Sequence, residues 1–429
     1  MKKTVEFSGK EFNEQAVDGK EFHGKEFHGK EFLIEAASRF RTPSYVFDAD
    51  AFLDRARSFV RIFSDSSKKV RINYCMKANP FLAEASLAFT DRIEVCSFGE
   101  FLITEKLGIP AEKLLISGVL KKEEDIDRIV RSCRDKALYT AESPAQLSSL
   151  EKAARKYGLI LNVYLRLTSG NQFGMDEETI LTILKNFDSY PDLTFYGIHY
   201  FSGTQKHRFR IHEREIKKLD LFIQRLESET GRKVLHLEYG TGFGVPYFID
   251  QKEDATSEEY LKSFLALLNG MEYSGQISLE MGRALAFDCG YYLTEIWDRK
   301  TSGEKTYVIT DGGIHQLNYD GQLRGMYQPF MDLIRGGNID RIDAEGGQKY
   351  TVCGSLCTAN DILAADLFSQ ELMTGDILVF ERIGAYSFYE GMQLFLSHEL
   401  PAVALYSREE GLRPARKRME TCSLNMAAE

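Results

Sequence analysis

Between residues 70 and 280, short apolar runs alternate with stretches of helical periodicity. The runs lie at 70–76, 93–96, 114–117, 137–140, 159–167, 195–200, 234–239 and 276–280. Each is short, rich in branched and aromatic residues, and reads as a strand. Between them, 98–107, 123–133, 143–157, 209–229 and 257–269 repeat apolar residues along one helical face. Strands that alternate with helices build βαβ units on a parallel sheet. Eight such strands are what a closed (β/α)8 TIM barrel requires. An open doubly wound sheet is the alternative, and the count of eight favours the barrel.

The flanks differ. After about residue 285, runs at 291–296, 305–310, 349–354, 376–381 and 402–407 are separated by turns, not helices. The α/β barrel is therefore expected over 50–285, with a β-rich domain, barrel or sandwich, over 286–407. The segment 33–49 ends in another apolar run and is expected to lend that domain a strand. Residues 1–32 repeat Gly-Lys-Glu-Phe-His at 19–23 and 24–28, and Gly-Lys-Glu-Phe at 9–12 and 29–32. A pentad matches neither period of regular structure, so this stretch reads as a solvated arm. His23 and His28 carry metal-ligating rings there, but no metal site is expected. The polar stretch 408–429 reads as a flexible tail.

Composition narrows the function. Hydrophobic residues make up 43% and charged residues 28%, which suits a soluble globular chain. With 54 Lys and Arg against 64 Asp and Glu, the formal net charge is −10, and nucleic-acid binding is not expected. No apolar run approaches a membrane span, and the start lacks the apolar core of a signal peptide. The seven scattered cysteines contain no CxxC pair and suit a reduced, cytoplasmic setting.

Reactive side chains in a barrel gather at the C-terminal ends of its strands. Here those ends carry Lys77, Cys96, Arg166, His199, the run Gly240-Thr241-Gly242-Phe243-Gly244, and Glu280 followed by Met281-Gly282-Arg283. A lysine at a barrel mouth can lose its proton by desolvation and act as a Schiff-base nucleophile; a solvated lysine is the plain alternative. The glycine run is not a dinucleotide fingerprint. It follows the seventh strand, where barrels commonly bind phosphate, although an ordinary turn also fits.

Longer motifs point further. Tyr74-Cys75-Met76-Lys77-Ala78-Asn79 resembles the cofactor-lysine motif of the fold-type III pyridoxal-phosphate (PLP) decarboxylases, which include diaminopimelate, ornithine and arginine decarboxylases. Gly197 to Gln205 resembles that family's HxHxGSQ strand end, and Gly240 to Gly244 its phosphate loop. Glu280 to Arg283 resembles EPGR, Cys357 to Asp361 resembles CESxD, and Gly384-Ala385-Tyr386 resembles GAY. The motifs keep the family's order between 40 and 405.

The resemblance implies a (β/α)8 barrel with a C-terminal β domain, PLP as cofactor, and a homodimer with shared active sites. It implies that Lys77 holds the cofactor and that Glu280 keeps the pyridine nitrogen protonated, which strengthens the electron sink. Alanine racemases of the same fold place arginine there, so Glu280 speaks for decarboxylation. Cys357 would reprotonate the carbanion in the partner's site. Thr204, Gly242, Phe243, Gly244, Gly282 and Tyr386 would hold the cofactor's phosphate side, with Arg166 and His199 near the cofactor. Arg283 would reach a phosphate or a substrate carboxylate, and Tyr386 would face the substrate. Arg324 sits in a sequence loosely similar to the family's RPxxY substrate-carboxylate motif.

Two positions depart from the family pattern. Phe201 stands where a histidine usually stacks on the cofactor ring, and an aromatic ring can still stack there. Thr358 stands where diaminopimelate and ornithine decarboxylases carry an acid for the distal ammonium. A neutral hydroxyl pairs poorly with a desolvated ammonium. The substrate expected is therefore an amino acid or aminoacyl conjugate of a specialised pathway. The spelling is similar to the branch that acts on glutamyl-acyl-carrier protein in butirosin assembly, which makes an acyl-carrier protein a possible partner. The alternatives are diaminopimelate decarboxylation in lysine biosynthesis, racemisation, and a non-catalytic PLP-binding homologue.

Overall fold

The computed structural model describes residues 29–321, 324–342 and 347–427. Eight strands close into a parallel barrel in sequence order. They are β2 (Val70–Cys75), β3 (Arg92–Val95), β4 (Leu114–Ile116), β5 (Leu138–Ala141), β6 (Leu161–Leu167), β7 (Leu193–Phe201), β8 (His236–Gly240) and β9 (Gln276–Met281). β2 returns onto β9 with Val70 opposite Ile277, which completes the ring. These strands are buried on both faces, so they read as near-continuous apolar runs.

Helices cover the outside. β1 is Ser44–Asp48, and the helices begin with α1 (Glu31–Phe40) and α2 (Ala49–Ser64). Around the barrel follow α3 (Ala83–Ser86), α4 (Phe98–Leu107), α5 (Glu123–Cys133), α6 (Pro144–Tyr157), α7 (Glu177–Lys185), α8 (Phe209–Thr230), α9 (Glu258–Asn269) and α10 (Arg283–Ala286). Local signals set their ends. The Ser97 and Ser143 hydroxyls accept the first-turn N–H groups of Glu100 and Gln146. Gly108 and Gly158 close the same two helices in the left-handed conformation.

The C-terminal strands, with β1, form one ten-stranded mixed sheet. They are β10 (Gly290–Ser302), β11 (Lys305–Thr310), β12 (Met331–Arg335), β13 (Asn338–Arg341), β14 (Gln348–Cys353), β15 (Ile362–Ser369), β16 (Ile377–Glu381), β17 (Ala402–Ser407) and β18 (Gly411–Arg416). β1 lies between β10, antiparallel, and β17, parallel.

Three expectations at the flanks need correction. The arm expected to run to 32 gives way earlier. Lys30 Nζ meets Asp332 Oδ2 at 2.5 Å and Glu381 Oε1 at 3.0 Å, and Phe32 is buried at the start of α1. The segment 33–49 is mostly this helix, and only its end is a strand. The tail expected to be loose from 408 instead adds β18 to β17, with Leu412 opposite Tyr406. His23 and His28 lie outside the described residues. Among the described residues no helix is long and apolar enough to cross a membrane.

Candidate active site

The C-terminal ends of the barrel strands enclose a cavity of about 430 Å³. That size suits a small cofactor together with its substrate. Of the residues singled out in the sequence, Lys77, Arg166, His199, Phe201, Thr204, Gly242, Phe243, Glu280, Gly282, Arg283 and Tyr386 all line it.

Lys77 follows β2 and forms an ion pair with Glu94 of β3; its Nζ also lies 3.4 Å from Cys96 Sγ. The pairing follows from register, because Cys75 stands opposite Glu94. Burial disfavours the Lys77 charge, but its neighbours outweigh that and hold the amine well above the usual lysine range. Burial likewise raises Glu94, yet the nearby Lys77 and His199 pull it below the usual carboxylate range. Glu94 is the charge that counts here, since burial pushes both thiols up and keeps them protonated. Of the two states open to this lysine, desolvated and neutral or solvated and charged, the barrel gives neither: it holds a charged amine against a buried counter-ion.

Glu280 is the last residue but one of β9, and its Oε2 lies 3.2 Å from His199 Nε2. Both side chains are buried. Among the described residues, Glu280 Oε1, His199 Nδ1 and Arg166 Nε are buried without a hydrogen-bond partner. Deeper in the barrel, Glu238 accepts from Asn73 Nδ2 at 2.8 Å. Burial, then the nearby Glu280, raises its pKa well above the carboxylate range. His199 and Phe201 alternate with the outward Tyr200, so both face the cavity without a bulge between them.

The far wall is built for close approach. Gly242 has φ +61°, and a Cβ there would sit 2.0 Å from the Gly203 carbonyl oxygen. Arg283 Nε donates to Thr204 Oγ1 at 3.2 Å and its Nη1 to the Tyr247 hydroxyl at 2.6 Å, while its guanidinium stacks 4.5 Å from the Tyr386 ring centre. Arg166 pairs with Glu142 at 2.7 Å and lies over Phe173.

Four expected residues lie elsewhere. Gly244 does not line the cavity; its N–H donates to the Lys206 carbonyl at 3.3 Å. Cys357 is exposed, and neither it nor Thr358 lines this chain's cavity. Arg324 is also away from it and donates to Asn360 Oδ1 at 2.7 Å. Conversely, Glu94 and Phe173 line the cavity, and Tyr247 and Glu142 hold Arg283 and Arg166 in it, although none of the four stands out as a site residue in the sequence. Glu94 lies inside a predicted strand, but only cross-strand register brings it to Lys77. Cys75, Glu94 and Glu280 bring one ligand atom each within 4.8 Å of one another, but Glu94 already carries the Lys77 ammonium.

Comparison with known proteins assigns this geometry. The family model described as "Pyridoxal-dependent decarboxylase, C-terminal sheet domain" matches residues 44–384. The chain belongs to this family of pyridoxal-dependent decarboxylases. The L-glutamyl-[BtrI acyl-carrier protein] decarboxylase of Niallia circulans is 27% identical over 397 residues, 85% of this chain and 88% of that protein. The diaminopimelate decarboxylase of Aquifex aeolicus is 25% identical over 378 residues, 83% and 84% of the two chains. The crystal structure of the M. jannaschii diaminopimelate decarboxylase superposes with a TM-score of 0.78 at 21% identity, over 92% of this chain and 94% of that one, a likeness of fold. This decarboxylase is thus a PLP-dependent lyase on a TIM barrel with a sheet domain. The residues present fit the cofactor: an amine at Lys77, a buried orphaned carboxylate oxygen at Glu280, and a glycine cradle at Gly242 beside Arg283.

Proposed function

We propose that this decarboxylase removes the α-carboxyl group of an amino acid presented as a conjugate on an acyl-carrier protein, in a specialised cytoplasmic pathway. The observation that carries the substrate assignment is the Cys357 loop. Its single acid, Asp361, is buried and accepts the backbone N–H groups of Ile314 and Leu356 at 2.8 and 2.7 Å. Thr358 offers only a hydroxyl, and Asn360 is held by Arg324. The loop therefore has no free carboxylate for a distal ammonium. The carrier-protein decarboxylase among the relatives supports the same reading. All seven cysteines are free, which supports a reducing compartment.

PLP, when bound, supplies the electron sink for a carbanion. Lys77 would hold it, and Glu280 Oε1 would hold the proton at its ring nitrogen. His199 would fix the other oxygen of Glu280 from behind, at 3.2 Å. Thr204, Gly242, Arg283 and Tyr386 would hold the phosphate, with Phe201 against the ring. Lys77 must shed a proton before its amine can form a bond, and the Glu94 contact that holds the charged form must be given up first. Cys357 stands exposed and outside this chain's cavity, which supports a homodimer in which each subunit lends the other its thiol.

The test is carbon dioxide release by PLP-loaded protein, with Lys77→Ala as the blank. Free diaminopimelate, ornithine, lysine and arginine are run beside carrier-tethered glutamate. Turnover of the tethered acid alone is expected. Turnover of a free diamino acid without the tethered one overturns the substrate assignment.

A further inference from the structure

A basic segment leaves the cavity wall directly. Thr204 lines the cavity, and the Lys206 N–H donates to the Gly242 carbonyl at 2.9 Å, so the chain passes from the site into α8. From 206 to 218 it carries Lys206, Arg208, Arg210, Arg214, Lys217 and Lys218 against Glu213 and Glu215, in a chain of net charge −10.

Two of these six cations have acidic partners. Lys206 is buried and meets Glu215 at 2.8 Å, and Lys218 meets Glu177 at 3.8 Å. Arg208, Arg210, Arg214 and Lys217 are exposed, and none forms an ion pair among the described residues. Arg210, Arg214 and Lys217 follow at i, i+4 and i+7, a single stripe about 10 Å long. Leu221, 57% exposed, continues it. The opposite face of α8 buries Ile216, Leu219, Phe222, Ile223 and Leu226, so the fold needs nothing from the stripe. Like charges at this spacing weaken a helix slightly. The other basic run, 413–418, differs: Arg413 pairs with Glu410 and Arg418 with Glu399. On one flank, His207 Nδ1 lies 3.1 Å from the Glu253 carbonyl and brings up a turn carrying Asp250, Glu253 and Asp254. That acidic turn bounds the basic surface and gives a docked partner an orientation.

We infer that Arg208 and the Arg210–Arg214–Lys217 stripe form the docking surface for an acidic carrier protein, which delivers its tethered acid into the cavity beside Thr204. The inference rests on the carrier-tethered substrate proposed above. Unpaired positive charge beside the mouth of an otherwise acidic protein attracts an anionic partner over several ångströms and speeds encounter. Leu221 adds an apolar contact of the kind that interface centres use.

The experiment compares PLP-loaded wild type with the triple variant Arg210→Glu, Arg214→Glu, Lys217→Glu on two substrates, glutamyl-carrier protein and glutamyl-pantetheine. The variant is expected to raise KM for the carrier protein about ten-fold or more at low salt, with turnover of the pantetheine thioester unchanged. Wild-type KM for the carrier protein is expected to rise with ionic strength. Equal carrier-protein KM for variant and wild type, with pantetheine turnover intact, overturns the docking surface and leaves the substrate reading standing. Failure of wild type to turn over either thioester overturns both.

Discussion

The Lys77–Glu94 pair gives the sharpest test of how this site is held. Lys77→Ala, the obvious catalytic blank, also removes the counter-ion of a carboxylate whose side chain is 3% exposed. Breaking a fully buried pair by deleting one partner costs about 3–5 kcal/mol, because the other charge is left without compensation. The Lys77 side chain is 35% exposed, so water screens one partner and the expected loss falls to about 2–3 kcal/mol. The assay is urea unfolding followed by far-UV circular dichroism, on variants and wild type freed of cofactor, at pH 7.5. Adding Glu94→Gln removes the stranded charge, and the double variant is expected to recover at least half of the loss. The pH dependence has a definite sign. Glu94 has a folded pKa below its ordinary value of 4.5, so the pair stabilises above that value and the contribution is lost as pH falls toward the folded one. The gap between wild type and Lys77→Ala should therefore narrow on acidification. A Lys77→Ala protein as stable as wild type at pH 7.5, or a double variant weaker than the single one, would refute the reasoning.

Other outcomes follow from the same geometry. Mixing inactive Lys77→Ala and Cys357→Ala subunits should restore about a quarter of wild-type carbon dioxide release, since half the dimers would be mixed and each would carry one intact site; no recovery rules out shared sites. Glu280→Gln should lower kcat roughly 10²-fold with little change in PLP affinity, read from turnover and from cofactor titration. Gly242→Ala should weaken PLP binding and cost about 1–3 kcal/mol of stability, because the left-handed backbone and the Gly203 carbonyl both oppose a Cβ. His212, buried against Tyr239 with its pKa pushed down to about 3 mainly by burial, is neutral in the folded state. Its contribution is complete above pH 6.5 and is lost as pH falls below that value, by about 1.4 kcal/mol per pH unit; His212→Phe should flatten the fall in urea midpoint between pH 6.5 and 5.

The barrel was legible because its strands carry their own signal. A parallel strand buried on both faces must be apolar along its length, and all eight runs became strands within two residues of the expected ends. Strand ends then placed Lys77, His199 and Glu280 at the mouth without knowledge of the fold's details. The sheet domain was less legible. Short or two-sided strands such as Asn338–Arg341 and Ile362–Ser369 alternate poorly, and neither stands out along the chain.

Sequence alone thus determined which side chains stand at the mouth of the barrel, since strand period and strand end are local properties of the chain. Tertiary structure decided their state. Register between β2 and β3 set Glu94 against Lys77 and made the amine a charged partner, not the neutral one desolvation alone would give. Closure of β7 on β9 through β8 put His199 behind Glu280. Folding of the sheet domain left Cys357 exposed and away from its own chain's cavity, because the loop is anchored by Asp361 on the backbone of Ile314 and Leu356. The Lys77–Glu94, Asp361–Ile314 and His199–Glu280 contacts join residues 17, 47 and 81 positions apart, and no local pattern encodes them.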